Sequence, residues 1–340
     1  MELRSGLNNL KNFVKDYKSS HERIKIINKE YDLKNFTKVR ISVKDSSFDS
    51  FIKLQTPGQL GLWGNTAFLT TFKPDINVVL NKPNPFIKLD ADIDKNWLFH
   101  LEPPGYIQKL GLDDEKVLKN FGKVYTSDPR LYEKGGKFIA SPPYVHWHLA
   151  HSAYSKNDGK VIYDYDFLSS YKEIPKKSST LVAINSNLNN LPGHKLRADF
   201  ITKICEQNLD IELYGGNKWS KYPQYKGYLP QKWPVFSKSK YALAIENEVS
   251  PYYWTEKITD SILCFSMPIY YGSPDINKFF PEGSYIILDI NNKKAVNELE
   301  EIINSGYYEK NISKLIEARN LILQKLNLFS FINLELNKIK

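Results

Sequence analysis

"YALAIENEVSPYYWTEKITDSILCFSMPIYYGSPDINKFFPEGSYIILD", residues 241–289, is the stretch that decides the fold. Three continuous apolar runs in it are separated by polar segments, one of which begins a helical pattern at Thr255. Thr255 is a good helix N-cap. Ile258, Ile262 and Phe265 follow at the i, i+4 and i+7 spacing of one buried stripe. Apolar strands that alternate with helices are typical of a parallel sheet covered on both faces, so the stretch predicts an α/β fold.

The alternation of strands and helices extends beyond this stretch. Toward the N-terminus the pattern predicts a strand, a helix and a strand, at 180–186, 194–208 and 210–216. Toward the C-terminus it predicts helix throughout 292–340. In the first half it predicts buried strands at 38–43, 76–81 and 96–102, a helix running into a strand at 113–126, and a loop at 58–65. Ligands of parallel sheets bind at the carboxyl ends of strands, so any site is expected there.

Length and composition indicate a globular chain with two domains. The 340 residues are 41% hydrophobic and 14% aromatic, which is enough for two cores of ordinary size. A charged segment with Gly and Pro but no periodicity places the domain linker between Ser152 and Ser179. The net charge of +9 suggests an anionic partner, and composition leaves open whether it is nucleic acid, an acidic membrane surface or a phosphorylated small molecule.

The sequence carries no pattern for export or for a membrane span. The opening segment lacks an apolar core of signal-peptide length, and no apolar run is long enough to cross a bilayer. We therefore expect a cytoplasmic protein that is at most peripheral to a membrane. Cys205 and Cys264 lie far apart, each in a predicted helix, which favours buried reduced thiols over a disulfide framework or a zinc site.

Lys257 is the unfavourable residue of the helix that begins after Thr255. A cation in the first turn opposes the positive end of the helix dipole, at about a few tenths of a kcal/mol unless an anion lies between them. On this basis, removing Lys257 is expected to leave the helix folded or slightly more stable. Arg197 lies in the opening turns of another helix, which follows a strand of the same sheet. Either cation alone is compatible with a solvated surface residue, but the pair indicates an anion site, for instance for pyrophosphate, although no glycine-rich phosphate motif accompanies it.

The residues around Lys257 resemble the donor-binding signature of glycosyltransferase family 10, the α-1,3/1,4-fucosyltransferases. The family elements F-E-N, Y-x-T-E-K, P-I-x-Y-G-x-P and P-x-S-F-I occur here in the same order, at 245–247, 253–257, 268–274 and 281–286. A weaker similarity reaches back through Arg197 to "WLFHLEPP" and covers most of the chain from about Asp75. The first seventy residues carry no resemblance.

This resemblance implies a GT-B fold, in which two Rossmann-like α/β domains face a central cleft. It implies an acceptor-binding domain at 1–172, a GDP-sugar-binding domain at 173–322, and a C-terminal helix at 323–340 that packs back on the first domain. The family's donor is GDP-fucose, transferred with inversion to a glycan hydroxyl, and the expected linkage is α-1,3 to GlcNAc. No cofactor or divalent metal is expected, because GT-B enzymes generally lack the metal-binding Asp-x-Asp motif.

The resemblance also assigns five residues to the donor site. Carried over residue by residue, Arg197 and Lys257 hold the pyrophosphate. Asn247, Tyr253 and Glu256 contact the sugars and the nucleoside of the donor. On this reading, Lys257 is tolerated at its helix N-terminus because a pyrophosphate lies between the two.

Inverting transfer also needs a base that accepts the proton of the attacking hydroxyl. Glu102, at the end of the predicted strand 96–102, matches the family glutamate at the end of the corresponding strand. Without the resemblance, Glu102 is read as a solvated strand-end carboxylate. The next residues, Pro103 and Pro104, depart from the Asn or Ser that is common in the family.

Two other features and two other functions stay open. His146, His148 and His151 are close in sequence, and the first two would share a strand face as metal ligands do, but no cysteine or carboxylate nearby completes a set. Residues 217–233 interleave Lys with Trp and Tyr, which fits stacking on single-stranded nucleic acid or a surface loop with partly buried aromatics. The alternative functions are transfer from a different GDP-sugar, with 248–252 lining the sugar pocket, and non-catalytic binding of nucleic acid or an anionic glycan.

Overall fold

The computed structural model describes residues 2–44, 47–71, 73–149, 163–189 and 191–338. The chain divides into two compact units. Unit 1 consists of Met1–His146, Asp164–Ser170 and Asn327–Lys340, and unit 2 of Trp147–Tyr163 and Tyr171–Leu326. The division therefore falls near the predicted linker, part of which lies outside the described residues.

The chain begins with the long helix α1, Glu2–Glu30. The elements that follow it up to the second sheet are β1 Thr37–Val43, α2 Asp49–Gln55, β2 Leu62–Trp63, β3 Thr66–Phe68, β4 Ile76–Leu80, β5 Asn96–Phe99, α3 Pro104–Lys109, α4 Glu115–Leu118, β6 Lys123–Thr126, α5 Pro129–Tyr132, β7 Phe138–Ala140 and α6 Tyr165–Ser170. The remaining elements are β8 Ser179–Asn185, α7 Pro192–Glu206, β9 Glu212–Gly215, β10 Tyr225–Gly227, α8 Trp233–Phe236, β11 Ser239–Ile245, α9 Glu256–Leu263, β12 Met267–Tyr271, β13 Ile286–Ile287, α10 Ala295–Asn304, α11 Tyr307–Gln324 and α12 Leu328–Asn337.

Unit 1 is built on a sheet whose described strands follow the order β2-β3-β1-β4-β5-β6-β7. All neighbours pair in parallel except β2, which is antiparallel to β3. The parallel strands β3-β1-β4-β5-β6 have the doubly wound order 2-1-3-4-5 of flavodoxin-like folds. The strands predicted at 38–43, 76–81 and 96–102 are β1, β4 and β5, and the predicted loop at 58–65 contains the short strand β2.

The helix α1 was not predicted, because the face it buries is largely polar. Asn9, Ser20 and Arg23 are buried together with the aliphatic Ile27, so the segment lacks the apolar periodicity of a core helix. Arg23 secures the helix by donating to Asp49 Oδ1 at 2.6 Å and to the carbonyl oxygen of Phe68 at 2.9 Å. A network of buried charge and hydrogen bonds thus replaces part of the usual apolar stripe.

The C-terminal helix α12 belongs to unit 1. Phe329 and Ile332 are fully buried, and the ring of Phe329 packs edge-on against that of Phe68 at 4.9 Å. The hydroxyl of Tyr125 in β6 donates to Glu335 Oε2 at 3.0 Å. Apolar packing and a buried hydrogen bond together hold α12 in this unit, although the chain reaches it only after passing through unit 2.

Unit 2 contains a sheet whose described strands follow the order β10-β9-β8-β11-β12-β13. Every neighbouring pair is parallel. Numbered along the chain this is the order 3-2-1-4-5-6 of the Rossmann fold, so the order reverses between β8 and β11. The apolar stripe of the predicted helix is buried as expected, with Ile258, Ile262 and Phe265 each at most 1% exposed.

Within the described residues, no helix is both long and apolar enough to cross a bilayer. Cys205 and Cys264 are free and buried, which confirms the interpretation as reduced thiols.

Candidate functional site

A cavity of about 230 Å³ lies in unit 2 where β8 and β11 end. These are the two strands between which the order of the sheet reverses, and doubly wound folds bind ligands at that point. The cavity is lined by Ile184, Ser186, Leu188, His194, Arg197, Lys232, Phe236, Leu243, Ile245, Asn247, Glu256 and Lys257. Four of the five predicted donor residues are therefore brought together, namely Arg197, Asn247, Glu256 and Lys257.

Arg197 is anchored to the ends of both strands. It extends from α7, is buried, and donates from Nη1 to the carbonyl oxygen of Ile245 at 2.9 Å and to Asn247 Oδ1 at 3.0 Å. Its Nε lies 3.3 Å from Asn185 Oδ1 at the end of β8. Burial lowers the pKa of the guanidinium, and the nearby Glu246 and Glu256 oppose only part of that shift. Arginine nevertheless remains charged. A fixed cation therefore lies where the strand order reverses between β8 and β11, the switch point of the sheet.

Gly193 lets α7 approach the loop that carries Asn247. A Cβ at Gly193 would lie 2.0 Å from the carbonyl oxygen of Asn247 and 2.5 Å from its carbonyl carbon. Both atoms belong to the backbone, so no side-chain rotation relieves the clash. The close packing of helix and loop is what brings Arg197 within hydrogen-bonding distance of Asn247.

For the GDP site that the sequence resemblance implies, Gly193→Ala is expected to weaken binding by more than tenfold, because the helix or the Asn247 loop must move away. We also expect the free energy of unfolding to fall by roughly 1–3 kcal/mol, the usual effect of overpacking. Titration calorimetry with GDP and urea unfolding measure the two effects. Gly6→Ala in α1 is the matched control, because a Cβ there meets nothing within 4 Å. Wild-type GDP affinity in Gly193→Ala would contradict the proposed geometry.

Lys257 is paired with two carboxylates at the start of α9. Its Nζ lies 3.3 Å from Glu246 Oε2 and 3.5 Å from Glu256 Oε1. Burial lowers the pKa of Lys257, but these two carboxylates outweigh it and raise the pKa above its ordinary value. The unfavourable place of Lys257 at the helix N-terminus is thus already offset within the protein, an answer that the sequence interpretation did not include.

Glu246 holds the N-terminus of α9 in place. Its side chain is fully buried and accepts hydrogen bonds from the backbone N–H of Thr255 at 2.8 Å and from the Thr255 hydroxyl at 2.8 Å. Burial raises the pKa of Glu246, and Lys257 opposes that shift. Thr255 is the N-cap, as predicted, and its hydroxyl also accepts from the backbone N–H of Lys257. Residue 246 stands within the signature, but no role was predicted for it.

Glu256 presents a carboxylate to the cavity. Burial alone raises the pKa of Glu256, but Lys257, His148 and Lys232 outweigh it and hold the pKa well below its usual range. The side chain is therefore ionised under ordinary conditions and can only accept hydrogen bonds. Such a group suits the hydroxyl or amine donors of a sugar or a base, and it repels phosphate.

Tyr253 lies beside the cavity and does not line it. It is 2% exposed, and it raises the pKa of Arg197 through charge interaction. The preceding Tyr252 has a φ of 61°, and its backbone N–H donates a hydrogen bond to Asp275 Oδ1 at 2.9 Å. Residues 248–252, all of which the structure describes, are absent from the cavity lining.

Lys232 and His194 line the cavity without having been predicted. The Nζ of Lys232 donates to Asp260 Oδ2 at 2.6 Å. His194, in the first turn of α7, accepts from the backbone N–H of Leu191 at 3.3 Å. Burial, with Arg197 and Lys257 next, lowers the pKa of His194 and keeps the ring neutral. Neither residue stands in a recognisable motif, so only their positions in the folded unit reveal them.

Residues 174–310 match the family model described as "Glycosyltransferase family 10 (fucosyltransferase) C-term". This segment is a family 10 fucosyltransferase domain. It contains every residue that lines the cavity.

The chain is also similar to individual proteins. Alpha-(1,3)-fucosyltransferase B of Drosophila melanogaster is 27% identical over an alignment of 209 residues that covers 57% of this chain and 41% of that protein's length. The chain thus matches less than half of that relative. A crystal structure of an α1,3-fucosyltransferase aligns over 87% of this chain and 93% of its own, with 16% identity and a TM-score of 0.47.

A further structural likeness bears on the fold. The structure of an α-glucosyltransferase in complex with UDP and a 13-mer DNA aligns over 78% of this chain and 79% of its own, with 12% identity and a TM-score of 0.50. Together with the two mainly parallel sheets, it confirms the predicted α/β fold of the GT-B class. At this level of identity the likeness concerns the fold alone.

The predicted base, Glu102, lies outside the family 10 domain, in unit 1. It is half-buried in the loop between β5 and α3, and Pro104 begins that helix, a position that suits proline. The neighbouring His100 is 1% exposed, and its Nδ1 lies 3.1 Å from Thr126 Oγ1. Burial lowers the pKa of His100 to about 4. His100 is therefore neutral and enclosed, and Glu102 is the more accessible of the two.

The histidine cluster does not assemble into a metal site among the described residues. No group of three or more His, Cys, Asp or Glu side chains there could hold a metal. His146 packs against the ring of Phe51 at 3.6 Å in unit 1, and His148 belongs to unit 2 and donates its backbone N–H to Asp260 Oδ1. His151 lies outside the described residues.

The aromatic and basic segment 217–233 is partly structured within the family 10 domain. It contains β10 and the start of α8, so it is a surface loop only in part. Trp219 and Trp233 are buried, and the indole of Trp219 donates to the carbonyl oxygen of Asn185 at 3.1 Å. The ring of Trp219 thus supports the end of β8, and neither of these two buried rings is available to stack on nucleic acid.

Proposed function

We propose that this chain is an inverting fucosyltransferase that moves fucose from GDP-fucose to a hydroxyl of a glycan acceptor. The observation that carries the proposal is the pair Arg197 and Lys257 at the switch point of a family 10 domain. A nucleotide sugar presents a pyrophosphate, and cations beside helix N-termini at such a point suit that group.

The donor end of the reaction follows from the charges in the cavity. In our proposal, Arg197 and Lys257 bind the pyrophosphate, whose negative charge grows as the bond to the sugar breaks. Cations fixed in advance stabilise that charge more in the transition state than in the ground state, which is how they accelerate transfer. The N-terminus of α9 adds its dipole on the same side. These groups supply the charge stabilisation, and we propose no divalent metal for this step.

The sugar and nucleoside are assigned to the other predicted residues. Glu256 is ionised, so it accepts hydrogen bonds from hydroxyl or amine groups, and Asn247 offers an amide beside Arg197. Tyr253 is buried next to Arg197 and is proposed to contact the donor once it is bound. The cavity of about 230 Å³ is smaller than the roughly 300–1,000 Å³ of complete ligand pockets, so it accommodates part of the donor.

The acceptor end is assigned to Glu102. In an inverting transfer the acceptor oxygen attacks the anomeric carbon as the pyrophosphate leaves, and the carboxylate of Glu102 takes the hydroxyl proton. Fucose is then bound to the acceptor, GDP is released, and the glutamate gives its proton to solvent before the next cycle. The acceptor proposed from the family is GlcNAc, with an α-1,3 linkage.

A transfer assay with a matrix of donors and acceptors tests this proposal. GDP-fucose, GDP-mannose, UDP-glucose and UDP-GlcNAc are each incubated with a panel of GlcNAc-containing and GlcNAc-free glycans, and both GDP release and the linkage formed are measured. We expect transfer from GDP-fucose alone. Transfer from another GDP-sugar would move the function to a different donor. Steeply salt-dependent nucleic-acid binding without transfer would overturn the enzymatic proposal.

A further inference from the structure

We propose that Lys232 is a third cation of the donor site, and that Asp260 positions its ammonium at the cavity wall to receive the diphosphate. This inference rests on the proposed function, because it adds a contact to the same ligand. It concerns Lys232 and Asp260, which lie outside the four elements of the donor signature at 245–247, 253–257, 268–274 and 281–286.

The position of Lys232 makes it available to a ligand. It directly precedes α8, lines the same cavity as Arg197 and Lys257, and keeps 21% of its side chain exposed. Its Nζ donates to Asp260 Oδ2 at 2.6 Å. An ammonium has three N–H donors, and among the contacts of the described residues this bond uses one of them. The remaining donors can meet oxygens of an anion.

Asp260 is placed to hold that ammonium. It lies on α9 one turn after Glu256, its side chain is fully buried, and its other oxygen, Oδ1, accepts the backbone N–H of His148 at 3.0 Å. A lysine has a long flexible stem and loses much rotamer freedom when it is immobilised. A buried carboxylate that fixes the ammonium in advance removes part of that loss from ligand binding.

The charge balance of the cavity indicates why a third cation is useful. Glu246 and Glu256 pair with Lys257, so two carboxylates already oppose this one cation. With Arg197 included, these four groups carry no net charge, against a diphosphate that carries at least two negative charges. Lys232 brings a further ammonium to the same cavity wall. Its carboxylate partner, Asp260, also accepts a hydrogen bond from a backbone N–H.

The test compares GDP with guanosine, which lacks the phosphates. Dissociation constants for both are measured by calorimetry in the full chain and in Lys232→Met. We expect GDP affinity to fall roughly tenfold or more, because a charge-assisted hydrogen bond is lost. Guanosine affinity should stay unchanged. Lys232→Arg, which keeps the charge, should restore most of the affinity. Lys238→Met is the control, because Lys238 pairs with Glu212 and is absent from the cavity lining.

A double variant separates binding from folding. Lys232→Met leaves Asp260 buried without its cation, which by itself lowers stability. Lys232→Met/Asp260→Asn removes both charges and should recover stability in urea, whereas GDP affinity should stay as low as in the single variant. Recovery of GDP affinity in the double variant, or equal losses for guanosine and GDP in the single variant, would show a structural role and overturn the inference.

The same measurements keep this inference apart from the proposed function. If Lys257→Met weakens GDP binding and Lys232→Met does not, the assignment of Lys232 as a third cation is wrong, whereas the proposed donor site is retained. If neither substitution alters GDP affinity, the donor site itself is wrong, and the inference fails with it.

Discussion

Glu102→Gln is expected to lower the rate of fucose transfer roughly a hundredfold or more while GDP-fucose affinity stays near wild type. Glutamine keeps the shape of the side chain but cannot accept the proton of the acceptor hydroxyl. Glu102 lies in unit 1 and the donor residues lie in unit 2, so this substitution should spare donor binding. Steady-state transfer kinetics and GDP-fucose calorimetry measure the two quantities separately.

The pH profile provides the control for this prediction. In the wild type, transfer should decline on the acid side as the glutamate becomes protonated, and the residual activity of Glu102→Gln should lack that decline. Glu115→Gln, a change of the same kind at an exposed position in α4, should leave the profile as in the wild type. A Glu102→Gln variant that transfers at the wild-type rate would remove Glu102 from the mechanism. The burial of His100 means that the next candidate would not be that histidine.

Lys257→Met is expected to weaken GDP binding roughly ten- to hundredfold and to lower turnover, because a charge-assisted contact to phosphate is lost. The sequence alone predicts an unchanged or slightly more stable helix in such a variant. The structure reverses that expectation, since Glu246 would remain fully buried without its cation. We expect the free energy of unfolding to fall by roughly 2 kcal/mol, below the usual range for a broken buried pair because Lys257 is partly exposed.

Lys257→Met/Glu246→Gln separates the two effects of this substitution. A glutamine at 246 can still accept from Thr255, so urea unfolding should return toward the wild-type value. GDP affinity, in contrast, should stay low because the cation is still missing. Lys240→Met, at a surface pair with Glu309, is the control and should change neither quantity. If the double variant binds GDP as the wild type does, Lys257 acts only through folding, and its assignment to the pyrophosphate is wrong.

Local sequence signals were enough to predict α9 and the positions of Arg197 and Lys257. Thr255 caps the helix through its own side chain, and the buried stripe from Ile258 repeats at helical spacing, so neither feature depends on distant parts of the chain. Arg197 and Lys257 were located because each lies in the opening turns of a predicted helix that follows a predicted strand. The continuous apolar strands gave the parallel α/β class for the same reason, since strands buried on both faces contain few polar residues.

Features formed by residues distant in sequence were not readable. The pairing of Lys232 with Asp260 joins residues 28 positions apart, and it exists because strand order and the packing of α9 bring them together. The polar face of α1 resembles a solvated surface until Arg23 is seen to meet Asp49. In the same way, the bond between Tyr125 and Glu335 joins residues far apart in the chain, so the sequence did not predict it.

The sequence by itself determined which charged residues lie near the ends of strands. Helix caps, buried stripes and strand patterns are local signals, because each depends on residues within one turn or one strand. Only the tertiary structure decided what those charges meet. Glu246 neutralises Lys257, Gly193 lets the loop of Asn247 pack closely against α7, and Lys232 lines the cavity. The physical reason is that burial makes each charge depend on a partner, and the partner is supplied by the strand order and helix packing of the folded unit.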